Sequence, residues 1–136
     1  MLENVPTKYE TIMIIDDNSI DLYIGSRIIT KHHFAKNVLQ YSSAKLALDY
    51  LEKNQKEPKF LPDIIFVDIY MPEMSGFEFI ESYNELSFEL KNKCSVFVIS
   101  STNNEKDIGE IYSNKNIKAF KEKPITKEFL EGLIKK

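Results

Sequence analysis

Apolar residues fall along this chain in short continuous runs separated by segments of helical spacing, and the two kinds of pattern alternate five times. Thr11-Ile-Met-Ile-Ile15 predicts a first strand and Asn37-Val-Leu-Gln-Tyr41 a second. Ile64 to Val67, ended by Asp68, has the length of a strand buried on both faces. Ser95-Val-Phe-Val-Ile-Ser100 predicts the fourth strand, and Ala119 to Glu122 a short fifth. Strands separated by helices form a parallel sheet through right-handed crossovers. The pattern therefore predicts a doubly wound α/β domain, a three-layer sandwich with helices on both faces of the sheet.

The helices have recognisable starts. Asn18 caps the first, with Asp21 in its opening turn, where the helix dipole favours negative charge. Ile20, Ile24 and Ile28, with Tyr23 beside them, are the expected apolar face, and the helix fades near Lys31-His-His33. Neither histidine has a partner at ligand spacing, so both are expected as solvated helix-end residues. Ser42 or Ser43 caps a second helix carrying Ala44, Leu48 and Leu51. Asn54 to Pro62 reads as a polar loop. Phe79, Ile80, Tyr83 and Leu86 mark a third helix that begins near Gly76, and Ser87 to Lys93 reads as a charged connection. A weak fourth helix with Ile108, Ile111 and Tyr112 inward follows the loop Ser101 to Asn104. Asn114 or Asn116 is expected to stop it in the left-handed conformation. Thr126 caps the last helix, with Phe129, Leu130, Leu133 and Ile134 inward.

Composition narrows the class. At 136 residues, 43% apolar and 29% charged, the chain has enough material for one core without disulfides. The predicted domain runs from residue 8 to 135, after a loose segment at residues 1–7. A formal charge of −3 offers no electrostatic footprint for nucleic acid. No apolar run approaches the ~20 residues of a membrane span. The start, Met-Leu-Glu-Asn-Val-Pro-Thr-Lys, lacks the profile of a signal peptide. The single cysteine, Cys94, leads into an apolar run and is expected as a buried hydrophobe. A cytoplasmic protein is the expectation.

The informative residues are the polar ones at the strand ends. Asp16 and Asp17 follow the first strand, Asp68 ends the third, Ser100 ends the fourth and Lys123 follows the fifth. In a parallel sheet those ends share one edge, where open α/β sheets bind ligands. Three carboxylates gathered there repel, and one would stay protonated unless a cation intervenes. Mg²⁺ is suited to the place, because it takes a few carboxylates together with water and a phosphoryl oxygen. Such a site suits phosphoryl transfer to a carboxylate. Asp68 would be the nucleophile, Lys123 a point charge, and Ser100 a hydrogen-bond donor to the phosphoryl group.

These residues resemble the receiver domains of two-component response regulators. The likeness covers Lys8 to Lys135 and rests on Ile-Ile-Asp16-Asp17, Val-Asp68-Ile-Tyr-Met-Pro72 with Gly76, Val-Ile-Ser100-Ser101, and Phe120 with Lys123-Pro124. The resemblance implies strand order 2-1-3-4-5, a flavodoxin-like sheet. It implies that Asp68 accepts a phosphoryl group from a sensor histidine kinase or a histidine phosphotransfer protein. By the same resemblance Asp17, Asp68 and the backbone carbonyl of Tyr70 bind Mg²⁺, while Asp16 acts through a metal-bound water. Ser100 and Phe120 become the switch residues, and the Lys123–Pro124 bond stands where the family often has a cis peptide. The implied output is a downstream protein, met through the fourth helix, fifth strand and fifth helix, Glu105 to Lys135. Two positions depart from the commonest pattern: Ser100 replaces threonine, and Tyr70 is bulky where that residue controls water access. Nothing follows Lys136 here, which fits a stand-alone receiver of the chemotaxis-regulator kind or part of a larger regulator.

Three other readings are weaker. A Mg²⁺-dependent phosphohydrolase using an aspartyl-phosphate would carry Asp-x-Asp after its first strand, as haloacid-dehalogenase-like phosphatases do, whereas here the pair is adjacent. A flavin- or nucleotide-binding module needs a phosphate-cradling loop after that strand, and Asp16-Asp17-Asn18 would repel phosphate. A degenerate receiver acting only as a binding surface would lack a site residue, and this chain lacks none.

Overall fold

In the computed structural model, which describes residues 6–101 and 105–133, five strands alternate with helices. The order is β1 (Tyr9–Ile15), α1 (Ser19–Lys31), β2 (Ala35–Tyr41), α2 (Ala44–Lys53), β3 (Ile64–Asp68), α3 (Gly76–Asn84) and α4 (Phe88–Lys93). β4 (Ser95–Ser100), α5 (Glu105–Tyr112), β5 (Ile117–Glu122) and α6 (Lys127–Glu131) complete it. The sheet is parallel throughout, in the order β2-β1-β3-β4-β5, as expected. Most of the loose segment expected before Lys8, the loop residues 102–104 and Ile134 lie outside the described residues.

β3 occupies the centre of the sheet, and all five of its residues are buried. Alternation along the strands sends side chains to two cores. Met13, Ile15, Ile65, Val67 and Val98 meet α2, α3 and α5 on one face through Leu48, Leu51, Phe79, Ile80 and Ile111. Ile12, Ile14, Ile64, Phe66, Phe97 and Ile99 meet α1 and α6 on the other through Leu22, Ile29, Leu130 and Leu133. Cys94 is buried, and Lys8 donates to the carbonyls of Leu130, Glu131 and Leu133, tying the start of the domain to the end of α6.

Five local expectations change. The buried face of α1 is Leu22, Gly25 and Ile29, while Ile20, Tyr23 and Ile24 point outward. A side chain at position 25 would begin 3.1 Å from Ile14 and 3.3 Å from Ile125, so the glycine lets the helix lie close on that face. Ser87 to Lys93 is not a bare connection: Ser87 accepts from the Leu90 amide and caps α4. Inside the Asn54–Pro62 loop, Pro58–Phe60 form one 3₁₀ turn. Neither Asn114 nor Asn116 has a positive φ; the left-handed position after a helix is His33, φ 59°, behind α1. Both His32 and His33 are half-buried rather than solvated. The caps at Asn18, Ser43 and Thr126 are as expected, each side chain accepting from the amides of the first helical turn.

Candidate functional site at the carboxyl edge of the sheet

Strand register brings the polar residues together. Ile15 pairs with Val67, so Asp16 and Asp68 leave the sheet side by side at the point where the strand order reverses. Asp68 pairs with Ile99, which sets Ser100 one step beyond it. Ser100 in turn pairs with Glu122, and its carbonyl accepts from the Lys123 amide at 2.8 Å. Carboxylate oxygens of Asp16, Asp17 and Asp68 all lie within 4.8 Å of one another. Asp16 and Asp68 are buried and Asp17 is exposed.

Lys123 sits among the acids. Its Nζ is 2.8 Å from Asp16 Oδ2, 2.8 Å from Asp21 Oδ2 and 3.2 Å from Asp68 Oδ2. Burial favours loss of the lysine's proton, but the close contacts with Asp16 and Asp21 and the charge of Asp68 outweigh it, and its pKa is raised. Burial pushes the Asp16 carboxyl up from the ordinary carboxylate range, against the pull of Lys123 and of the Asn18 amide, which donates to Asp16 Oδ1 at 2.9 Å. Together the four carboxylates Asp16, Asp17, Asp21 and Asp68 exceed the one ammonium among them by three formal negative charges.

The loop after β3 is held tightly. The Tyr70 amide donates to Asp68 Oδ1 at 3.3 Å, and the Tyr70 ring is exposed. A narrow turn with Glu73 at φ 70° carries a Met74 amide to Pro72 carbonyl bond of 2.8 Å. The Gly76 amide closes the loop on the Ile69 carbonyl at 2.7 Å. A Cβ on Gly76 would stand 2.4 Å from the Asp68 carbonyl oxygen, so any other residue there would displace the backbone that carries Asp68. The Ser75 and Glu78 side chains form a capping box that starts α3 at once.

Every residue expected from the sequence lies at or beside this edge, with Phe120 behind it. Phe120 is half-buried on β5 opposite Val98, packed against the core that α2, α3 and α5 cover. Ser100 is fully buried, and the Lys123–Pro124 bond is cis. The residue not assigned to the site beforehand is Asp21. Sequence reasoning gave it to the dipole of α1, whereas its carboxylate reaches Lys123. The available signal was position: Asp21 lies in the first turn of the helix that starts directly after Asp16-Asp17, at the same edge of the sheet.

The donor set fits a hard divalent cation. It is all oxygen, and among the described residues the buried Asp16 Oδ2 makes no hydrogen bond, with the Lys123 ammonium 2.8 Å away as an ion-pair partner.

Comparison with known proteins agrees with this geometry. The family model of the response regulator receiver domain matches residues 12–135. A stress response regulator protein 1 from Candida tropicalis is 29% identical over 96 residues, covering 71% of this chain and 33% of that protein. A probable methanogenesis regulatory protein, FilR2, from Methanothrix harundinacea is 23% identical over 123 residues, 90% of this chain and 77% of its own. Among solved structures, a two component response regulator from Cytophaga hutchinsonii superposes with a TM-score of 0.83 at 25% identity, covering 90% of this chain and 92% of that one. A response regulator receiver protein from Dyadobacter fermentans superposes at 0.80 with 30% identity, covering 89% and 91%. The chain belongs to the response regulator receiver domain family, whose members are regulatory signalling domains of two-component systems. It spans about a third of the length of the Candida relative. No helix among the described residues is long and apolar enough to cross a membrane.

Proposed function

We propose that this domain is a phospho-accepting switch, in which Asp68 takes a phosphoryl group from a phosphohistidine on a sensor histidine kinase or a histidine phosphotransfer protein. The observation that carries the reading is the placement of Asp68: buried at the switch point of the sheet, 3.2 Å from the Lys123 ammonium and within 4.8 Å of two more carboxylates. An Asp68 carboxylate oxygen attacks phosphorus. The new O–P bond forms as the donor's N–P bond breaks, and the electron pair departs with the imidazole. Asp17, Asp68 and the Tyr70 carbonyl would hold Mg²⁺, with Asp16 acting through a water. When bound, that ion offsets the negative charge shared by the attacking and leaving groups. Lys123 adds a fixed positive charge beside the transferred oxygens, and the bulky Tyr70, two residues after Asp68, would shield them from water.

The switch follows from charge. Phosphorylation adds about −1.5 to −2 charges at Asp68. A Ser100 hydrogen bond to that group contributes about 1.5–3 kcal/mol net. A Lys123 contact near 4 Å contributes about 4 kcal/mol gross at an effective dielectric of 20. Moving a population from 1:99 to 99:1 takes about 5.5 kcal/mol of differential stabilisation. Lys123 already lies 3.2 Å from Asp68, so the two contacts approach this only when Ser100 makes its bond solely in the phosphorylated state. As Ser100 moves toward the phosphoryl oxygens, Phe120 turns into the space it leaves, and the surface of α5, β5 and α6 changes for a downstream partner protein. Hydrogen exchange with and without beryllofluoride, a phosphoryl mimic, tests this. Protection should change across α5, β5 and α6 in the parent and much less in Ser100→Ala. A response confined to the Asp68–Gly76 loop, or one that survives intact in Ser100→Ala, would show that no switch reaches that surface.

A further inference from the structure

Three carboxylates contact the Lys123 ammonium, and one of them, Asp21, lies outside the set that would hold a metal. Asp21 Oδ2 accepts from Nζ at 2.8 Å, as close as Asp16 and closer than Asp68 at 3.2 Å. A first-turn aspartate is accounted for by the helix dipole alone, with no cation required. Here the capping of α1 is already done by Asn18, whose side chain accepts from the Ile20 and Asp21 amides. The Asp21 carboxylate instead reaches a lysine 102 residues further along the chain.

Resting on the phosphoacceptor reading above, we infer that Asp21 is a positioning residue that tethers Lys123 and, through its charge, weakens the hold of the Asp68 site on a phosphoryl anion. A divalent cation held by Asp16, Asp17 and Asp68 offsets two of those three charges. Asp21 is the carboxylate on Lys123 that lies outside that set, so the ammonium is divided between Asp21 and the incoming anion. The carboxylate also repels that anion directly, because both are negative and both lie on Lys123. The Asp21 side chain is 34% exposed, against 0% for Asp16, so the effect of Asp21 is open to screening by salt. Asp21 thus limits how long and how fully the site is occupied, and ionic strength sets how strongly it does so.

The test is calorimetric titration of the full chain with beryllofluoride in the presence of Mg²⁺, comparing the parent with Asp21→Asn, Asp21→Glu and Asp68→Asn. Asparagine keeps an oxygen for the Lys123 N–H and removes the charge; glutamate keeps the charge. Asp21→Asn should bind roughly three- to tenfold more tightly at low salt, and Asp21→Glu should stay with the parent. Near 1 M salt, where the screening length falls to about 3 Å, the advantage of Asp21→Asn should shrink below about twofold. A tether with no electrostatic part predicts unchanged or weaker binding in Asp21→Asn, and either result overturns the inference. So does a gain that is independent of salt, or one that Asp21→Glu shares. If the parent binds no beryllofluoride, or Asp68→Asn binds it equally well, the phosphoacceptor reading fails and this inference falls with it.

Discussion

Replacing Lys123 with methionine should destabilise the metal-free protein by about 3–5 kcal/mol, the cost of breaking a buried ion pair by removing one partner. The Lys123 side chain is 16% exposed and Asp16 is fully buried, so water cannot readily take the place of the ammonium. Asp16, Asp21 and Asp68 would each lose their contact with it. The pH dependence has a definite sign. The raised pKa of Lys123 means that its contribution is complete below the ordinary lysine value of 10.5 and is lost as pH rises past it. The raised pKa of Asp16 has the same sign at the acid end. Folding takes up a proton there, so stability falls as pH rises through the window above 3.8 and recovers on acidification. Without Lys123 the Asp16 carboxyl is held up further, so the deficit of Lys123→Met should narrow between pH 7 and pH 5. Urea unfolding at the two pH values measures this. A loss below about 1 kcal/mol at pH 7, the level of an exposed pair, would mean that Lys123 does not hold the cluster together.

Mg²⁺ should stabilise the parent by about 2.7 kcal/mol at a concentration 100-fold above its Kd, read as a rise in melting temperature that a chelator reverses. Asp17→Ala should abolish this gain. Asp17 is exposed within the acidic cluster, so its removal takes away a ligand and some repulsion at little cost in packing, and the metal-free variant should be slightly more stable than the parent. Lys123→Met should keep the Mg²⁺ effect and enlarge it, since the cluster is then more negative. Equal protection of Asp17→Ala and the parent would locate the ion elsewhere.

How much of this could be read from the chain depended on how local the signal was. β3 declared itself as an apolar run ended by an acid, and the parallel register then carried Asp16, Asp68, Ser100 and Lys123 to one edge without further information. Caps at Asn18, Ser43 and Thr126 are contacts within a few residues and were equally plain. The face of α1 was not. With Ile20, Leu22, Tyr23, Ile24, Ile28 and Ile29 in one helix, apolar spacing allows more than one buried face, and Gly25 decides between them through contacts with Ile14 and Ile125 that lie far along the chain. α4 has six residues, too few for periodicity to register, so only its Ser87 cap could have marked it. β1, β2 and β5 each begin two residues earlier than expected, on the buried Tyr9, Ala35 and Ile117, each set off from the run by an exposed polar residue that broke the pattern. Asp21 had a sufficient local explanation in the helix dipole, which hid a partner supplied by the end of β5.

The central claim is that this edge of the sheet makes Asp68 a phosphoryl acceptor, and the most direct test is to load the group and find it. The parent should be incubated with Mg²⁺ and acetyl phosphate, weighed intact by mass spectrometry, and mapped by fragmentation. A single phosphoryl adduct on Asp68, absent without Mg²⁺ and absent in Asp68→Asn, is the expected result. An adduct of equal yield in Asp68→Asn, or one that maps to another residue, would contradict it.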